Sequence, residues 1–265
     1  MQKTPQQLPS ALAEFQRISG KIQGRKFILC LDYDGTLTPI VHDYNKAIIS
    51  DGMRELVHEL AKKIPVAIIS GRDVPFVQQH MRLQEAYYAG SHGFEIVGPN
   101  AYRHELEEAE RALPVLEWAE KEMREYATTI PGMEIERKKF AMAVHFRKVR
   151  EEKLPAVQKK VQEVLDRNKE LKAGKGKMLV ELKPALDWHK GKALETIVQQ
   201  LDPSGEAVIA FIGDDVTDED AFRVLKEDDL GIFVGMHNGP TAANYRLEDV
   251  DEVGVFLGKL KEVLV

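Results

Sequence analysis

The stretch Phe27-Ile28-Leu29-Cys30-Leu31-Asp32-Tyr33-Asp34-Gly35-Thr36-Leu37-Thr38-Pro39-Ile40 decides the fold. Its first five residues read as a buried strand, and the run stops at two aspartates that flank a tyrosine and precede a glycine and a threonine. Side chains alternate along a strand, so Asp32 and Asp34 face one point if the extended backbone continues. Two carboxylates held together repel, raise each other's pKa or share a cation, and their oxygens suit a hard ion such as magnesium. The same composition also suits an exposed loop rich in Asp and Gly, and spacing alone leaves both readings open.

Working outward, the pattern recurs. Pro65 to Ile69 is a second apolar run, ending in Ser70-Gly71-Arg72, and Ala86 to Ala89 a third, ending in Gly90-Ser91-His92-Gly93. Ala207 to Ile212 is a fourth, ending in Gly213-Asp214-Asp215-Val216-Thr217-Asp218-Glu219-Asp220, and Leu230 to Val234 a fifth. Helical patterns separate the runs: Ser50 or Asp51 to Lys62, Val74 to Met81, and a helix from His189-Lys190-Gly191-Lys192 to about Leu201. A last helix covers Val253 to Leu264. Strands alternating with helices predict an α/β fold with a doubly wound, Rossmann-like parallel sheet, in which ligands bind outside the carboxyl ends of the strands. The loops at Asp32, Ser70 and Ser91 should therefore share one edge.

Between about Arg103 and Pro184 the style changes. A charged helix over Glu105 to Ala127, broken or kinked at Pro114, precedes strands at Met133 to Arg137 and Phe140 to Arg147. A helix over Lys153 to Leu171, a turn over Ala173 to Lys177 and a strand over Met178 to Leu182 follow. Strands that follow one another predict an inserted α+β module, giving a core over 1–104 and 185–265 and an insertion over 105–184. At the other end, residues 1–10 read as a frayed arm, and Ser10 as the cap of a helix over Ala11 to Ser19.

Composition bounds the function. The 265 residues are 43% hydrophobic and 30% charged, with a formal net charge of -6. No overall basic field exists to condense on nucleic acid, although local basic residues still suit a small anionic substrate. The single cysteine, Cys30, lies in the opening strand and reads as a small core residue. No apolar run reaches the roughly 18 residues a membrane span needs, and the polar start carries no signal-peptide core, so a cytoplasmic protein is expected.

The four aspartates at the end of the fourth strand, Asp214, Asp215, Asp218 and Asp220, and two at the end of the first would be unfavourable together without a bound divalent cation. Part of that acidic run has a helical duty, with Thr217 as N-cap and Asp218, Glu219 and Asp220 in a first turn. Magnesium is usually shared with a substrate phosphate, whose donors here would be Ser70, the amides beside Gly71 and after Asp34, and Lys190 at a helix start.

Asp32-Tyr-Asp-Gly-Thr36, Ser70-Gly-Arg72, Lys190-Gly191 and Gly213-Asp-Asp-Val-Thr-Asp218 resemble, in order, the four motifs of the haloacid dehalogenase (HAD) superfamily of phosphatases. With Tyr87-Tyr-Ala-Gly-Ser-His-Gly93, Val144-His-Phe-Arg147 and Trp188-His-Lys-Gly-Lys-Ala-Leu194, the chain from about Phe27 onward resembles the trehalose-6-phosphate phosphatases within it. The resemblance implies a nucleophile at Asp32, a general acid and base at Asp34, and phosphate binding by Ser70 and Lys190, with Gly35, Thr36 and Gly71 beside the phosphate. It implies Mg2+ on Asp32, on the Asp34 backbone carbonyl and on Asp214, with Asp215 and Asp218 close by. The insertion would be a cap bearing Lys139, Arg147 and Glu181 as sugar contacts, joined by Arg72 and His92 from the core. Lys183 stands where the family often has Arg and is not counted among them.

The expected substrate is trehalose 6-phosphate. Sucrose phosphate, glucosylglycerol phosphate and mannosyl-phosphoglycerate are the alternatives within the fold, and a phospho-acceptor signalling domain is the alternative outside it. A receiver needs no second carboxylate two residues after its phosphorylated Asp. A monomer rather than an obligate oligomer is expected, with a trehalose-6-phosphate synthase as a possible associate.

Overall fold

The computed structural model describes residues 3–41, 46–176 and 178–264, without the side chains of Lys175 and Gly176. Met1 and Gln2 of the expected arm, and Lys177 at the end of the expected turn, lie outside the described residues. The chain divides into two compact units, one of Met1–His104 with Trp188–Val265 and the other of Glu105–Asp187.

In chain order the first unit begins with α1 (Phe15–Ile22), β1 (Phe27–Leu31), α2 (Asp51–Ala61), β2 (Val66–Ile69), α3 (Val74–Met81), β3 (Tyr87–Gly90), β4 (Glu95–Gly98) and β5 (Tyr102–Glu105). The second contains α4 (Glu107–Arg111), α5 (Leu113–Ala127), β6 (Glu134–Lys138), β7 (Ala141–His145), α6 (Leu154–Arg167), β8 (Leu171–Gly176) and β9 (Leu179–Pro184). The first then resumes with α7 (Lys190–Leu201), β10 (Val208–Gly213), α8 (Glu219–Val224), β11 (Leu230–Val234), β12 (Tyr245–Leu247) and α9 (Val250–Val263).

The main sheet runs β12-β11-β10-β1-β2-β3-β4-β5, and β1 lies parallel between β10 and β2. Its central strands are apolar throughout because both faces are covered. Phe27, Leu29 and Leu31 enter one core with α1, α2, α3 and α9 residues, while Ile28 and Cys30 enter the other with Ala193, Leu194 and Ile197 of α7. This is the doubly wound α/β arrangement the sequence predicts. Cys30 is fully buried, and burial, with Asp229 adding to it, pushes its thiol far above the usual range, so it is an inert packing residue.

In the second unit an antiparallel sheet, β6-β7-β9-β8, packs one face on α5 and α6 through Met142, Val144, Leu182, Leu116, Met123, Val157 and Val161. Pro114 falls in the first turn of α5 and separates it from α4, so it breaks the expected helix rather than kinking it.

Four local readings are corrected. The arm over residues 3–10 is tied to the sheet edge: Thr241 N–H donates to the Lys3 carbonyl, Arg246 N–H to Pro9, and Ala11 N–H to Arg246. Residues 11–14 form a turn that Ser10 Oγ opens by accepting from the Ala13 amide at 3.4 Å, and α1 starts only at Phe15. The expected turn over Ala173 to Lys177 is instead largely β8, whose residues Leu171 to Gly176 pair with Pro184 to Leu179; strand pairing overrides a lysine- and glycine-rich composition. Finally, Thr217 lies inside a short helical turn that Asp215 caps by accepting from Val216 N–H.

Candidate active site

The carboxyl ends of β1, β2, β3 and β10 carry the residues singled out in the sequence. Asp32 follows β1 directly; its amide donates to the Ile212 carbonyl of β10, which extends the strand pairing into the motif. Its side chain is buried, and Oδ1 accepts from Lys190 Nζ at 2.7 Å. Lys190 opens α7 and donates also to Asp218 Oδ1 at 2.6 Å. The second oxygen of Asp218 accepts from the backbone amides of Asp214 and Asp215, each at 3.0 Å. Asp218 thus binds the lysine with one oxygen and shapes the loop after β10 with the other. Gly213 makes room for this, since a Cβ there would lie 2.4 Å from Asp218 Cγ.

Asp214 approaches from the same loop. Carboxylate oxygens of Asp32, Asp214 and Asp218 lie within 4.8 Å of one another. Asp214 Oδ1 is buried and meets no hydrogen-bond donor among the described residues. Gly35, at φ +82°, holds the turn after Asp34 so close that a Cβ would fall 2.0 Å from Asp214 Oδ2. An orphaned carboxylate oxygen beside a second carboxylate, in a hard-oxygen donor set, fits a magnesium-like cation. The electrostatics agree. Burial pushes the Asp32 carboxyl up to about 7 against the pull of Lys190, and Asp218 and Asp34 add to the rise. Asp214 is raised as well, by burial first and then by Asp32 and Asp218. Burial works against the Lys190 ammonium, but Asp218 and Asp32 outweigh it and raise its pKa. One lysine does not balance this set of acids, and a divalent cation would.

Asp34 points its carboxylate at Arg72 rather than at the lysine. Arg72 Nε donates to Oδ2 at 2.7 Å and Nη2 to Oδ1 at 2.6 Å. Ser70 follows β2 and is buried; its Oγ accepts from the Arg72 amide at 3.1 Å. His92 occupies a left-handed turn after β3, with φ of 49° at Ser91 and 59° at His92, and its ring lies where a Cβ on Gly71 would collide at 2.9 Å. Ser70, Gly71 and His92 therefore form one packed group. Thr36 is fully buried in the turn after Asp34, whereas Asp215 is exposed.

Lys139, Arg147 and Glu181 belong to the other unit. Glu181 lies on β9 with Lys138 Nζ at 2.7 Å; Lys139 lies in the turn after β6 and pairs with Glu105 at 2.7 Å; Arg147 sits in the exposed turn after β7. Cross-strand partners share a face, so Glu136, Ala143 and Glu181 form one row on the sheet face away from the helices. Lys138 is on that face, and Glu136 meets His145 there at 2.8 Å. Sequence reasoning missed Lys138, Glu136 and His145, although the two-residue period of β6 places Glu136 and Lys138 together.

A largely parallel sheet whose first strand leads into two aspartates, the first held by a lysine beside an acidic loop, defines the haloacid dehalogenase class of fold. A haloacid dehalogenase-like hydrolase from Bacteroides thetaiotaomicron shares it, with a TM-score of 0.63 over 90% of this chain and 100% of that one at 18% identity. Within the class the assignment is more specific. The trehalose-phosphatase family model matches residues 30–251. The chain is 42% identical over 266 residues to a protein named probable trehalose-phosphate phosphatase E of Arabidopsis thaliana, covering 96% of this chain and 75% of that one. A solved structure of a trehalose-6-phosphate phosphatase related protein matches with a TM-score of 0.79 at 25% identity, over 89% of this chain and 97% of that one. The chain belongs to the trehalose-phosphatase family. Among the described residues no helix is long and apolar enough to cross a membrane.

Proposed function

We propose that this protein hydrolyses trehalose 6-phosphate to trehalose and phosphate. The observation that carries the chemistry is the buried Asp32 carboxylate, held by Lys190 at 2.7 Å with Asp214 beside it. Asp32 attacks phosphorus, the bond to the sugar oxygen breaks, and Asp34 gives that oxygen a proton. Asp34 then takes a proton from water as the water oxygen displaces Asp32 from the aspartyl-phosphate. Lys190 spreads the negative charge of both transfers, and Ser70 with the amide of Thr36 receives the phosphoryl oxygens, the Gly35 amide being spent on the Thr38 carbonyl. Asp32, the Asp34 backbone carbonyl and Asp214 would hold Mg2+, which when bound draws charge from the phosphate and lets the carboxylate approach it.

The sugar assignment rests on the family and on the names its relatives carry. The Glu105–Asp187 unit is the cap in this reading, with Glu181, Arg147 and Lys139 as its sugar-selecting residues and Lys138 added by the geometry. A cytoplasmic location, a monomeric state and an association with a trehalose-6-phosphate synthase belong to the same reading.

The test is phosphate release with Mg2+ from a panel of trehalose 6-phosphate, sucrose phosphate, glucosylglycerol phosphate and mannosyl-phosphoglycerate. The first should give the highest kcat/KM, and Asp32→Asn should abolish turnover of all. Equal turnover of the panel sinks the sugar assignment, and an active Asp32→Asn sinks the nucleophile.

A further inference from the structure

We propose that Arg72 is the positioning residue of the proton-transfer group Asp34; the inference rests on the phosphatase reading above. A guanidinium near a phosphate site would ordinarily be read as a substrate contact. Here its planar fork is matched to a carboxylate, with Nε and Nη2 each donating to a different oxygen of Asp34. The arginine is itself fixed. Its guanidinium carbon lies 4.7 Å from the Phe76 ring centre on α3, and Phe76 meets Tyr33 edge-on at 6.0 Å. Tyr33 is buried between the proton-transfer residue and the nucleophile, and its hydroxyl donates to the Ala47 carbonyl and accepts from the Ile49 amide. Main-chain bonds secure the other end: the Arg72 amide donates to Ser70 Oγ, and its carbonyl accepts from Ser91.

Asp34, by contrast, is more exposed, with a side chain 35% accessible against 11% for Arg72. It sits in a glycine turn, and among the described residues the hydrogen bonds to its carboxylate come from Arg72. The fork supplies that lock. Both carboxylate oxygens are oriented by Arg72, and each keeps a lone pair for the moving proton. That proton goes from an Asp34 oxygen to the leaving oxygen as the P–O bond breaks, and returns to Asp34 from water as the aspartyl-phosphate is cleaved. Lysine at position 72 would keep the charge and lose the two-point geometry.

A leaving-group series separates this role from substrate binding. kcat/KM is measured with Mg2+ for p-nitrophenyl phosphate and phenyl phosphate, neither of which carries a sugar, on wild type, Arg72→Leu, Arg72→Lys and Phe76→Leu. A leaving group that needs no proton is insensitive to the position of Asp34. Arg72→Leu should therefore cost p-nitrophenyl phosphate less than about threefold and phenyl phosphate about thirtyfold or more. Arg72→Lys and Phe76→Leu should show the same steepening in weaker form, and they carry the test if the leucine variant does not fold. In an Asp34→Asn background Arg72→Leu should add no further loss. If wild type turns over these phosphates and the Arg72 variants lose equally on both, or if the losses multiply in the Asp34→Asn background, the assignment is overturned and the phosphatase reading stands. A wild type that releases no phosphate from these compounds or from trehalose 6-phosphate overturns both.

Discussion

Lys190 Nζ lies 2.6 Å from Asp218 Oδ1, between two side chains that are 3% and 0% accessible. The contact binds the start of α7 to the loop after β10, and through the other Asp218 oxygen it sets the path of that loop. Without the Asp218 charge Lys190 keeps Asp32, but an asparagine has one acceptor oxygen where the lysine and the Asp214 and Asp215 amides need two. Asp218→Asn is therefore expected to lower unfolding stability by about 1–3 kcal/mol in a urea titration, through the buried hydrogen bonds it breaks. It should also slow turnover by about tenfold or more, because Lys190 loses half of its anchoring at the phosphate. Unchanged stability together with unchanged turnover would show that the contact has no such role.

Asp214 predicts a metal response. Its carboxylate is raised by burial and by the acids around it, so ionising it at neutral pH costs the fold free energy unless a cation shares the site. Thermal unfolding of the wild type should shift upward with added Mg2+, and chelation should reverse the shift. Asp214→Asn should be at least as stable as wild type without metal and should lose the shift. A variant that keeps the full Mg2+ response would remove Asp214 from the ligand set.

What the sequence made legible follows from where the physics is local. β1 and β10 are readable because burial on both faces demands an unbroken apolar run, and α3 because Pro75 suits its first turn. β8 is illegible for the opposite reason: Leu171-Lys-Ala-Gly-Lys-Gly176 becomes a strand only because β9 lies beside it. β12 has three residues with an arginine at its centre, too few to show a period. In the site, the acids and Lys190 are visible as types, while their assignments are not. That Arg72 meets a carboxylate 38 positions away, and that Lys138 meets Glu181, depends on loop and register geometry.

Asp202 gives a pH prediction away from the site. Its buried carboxylate accepts from the Ala207 amide and from Ser204 Oγ, each at 2.7 Å, with Lys26 at 3.4 Å. The amide bond, then the hydroxyl, hold its pKa down to about 2. A carboxyl depressed in the folded state stabilises above its unfolded pKa of about 4, and the contribution disappears as pH falls from there through about 2. Asp202→Ala should therefore unfold at a lower urea concentration than wild type at neutral pH. The gap between the two midpoints should narrow as the pH is lowered from about 4 toward 2; a constant gap would mean that the charge on Asp202 contributes nothing.

Gly35 separates the geometry of the site from the stability of the fold. Its φ of +82° is costly for a residue with a Cβ, by about 1–2 kcal/mol, and the added methyl would lie 2.0 Å from Asp214 Oδ2. The backbone turn at Gly35 is held by its amide on the Thr38 carbonyl at 2.7 Å and by Leu37 and Thr38 on Tyr33, so the loop resists moving away. Asp214 must yield instead, because it is a side chain at the end of a loop. Gly35→Ala is thus expected to lose only about 1–2 kcal/mol in urea unfolding. The Mg2+ concentration for half-maximal phosphate release should rise by about tenfold or more, since a displaced carboxylate no longer completes the ligand set. If the variant unfolds far more easily while its Mg2+ requirement stays fixed, the close approach serves packing rather than the metal.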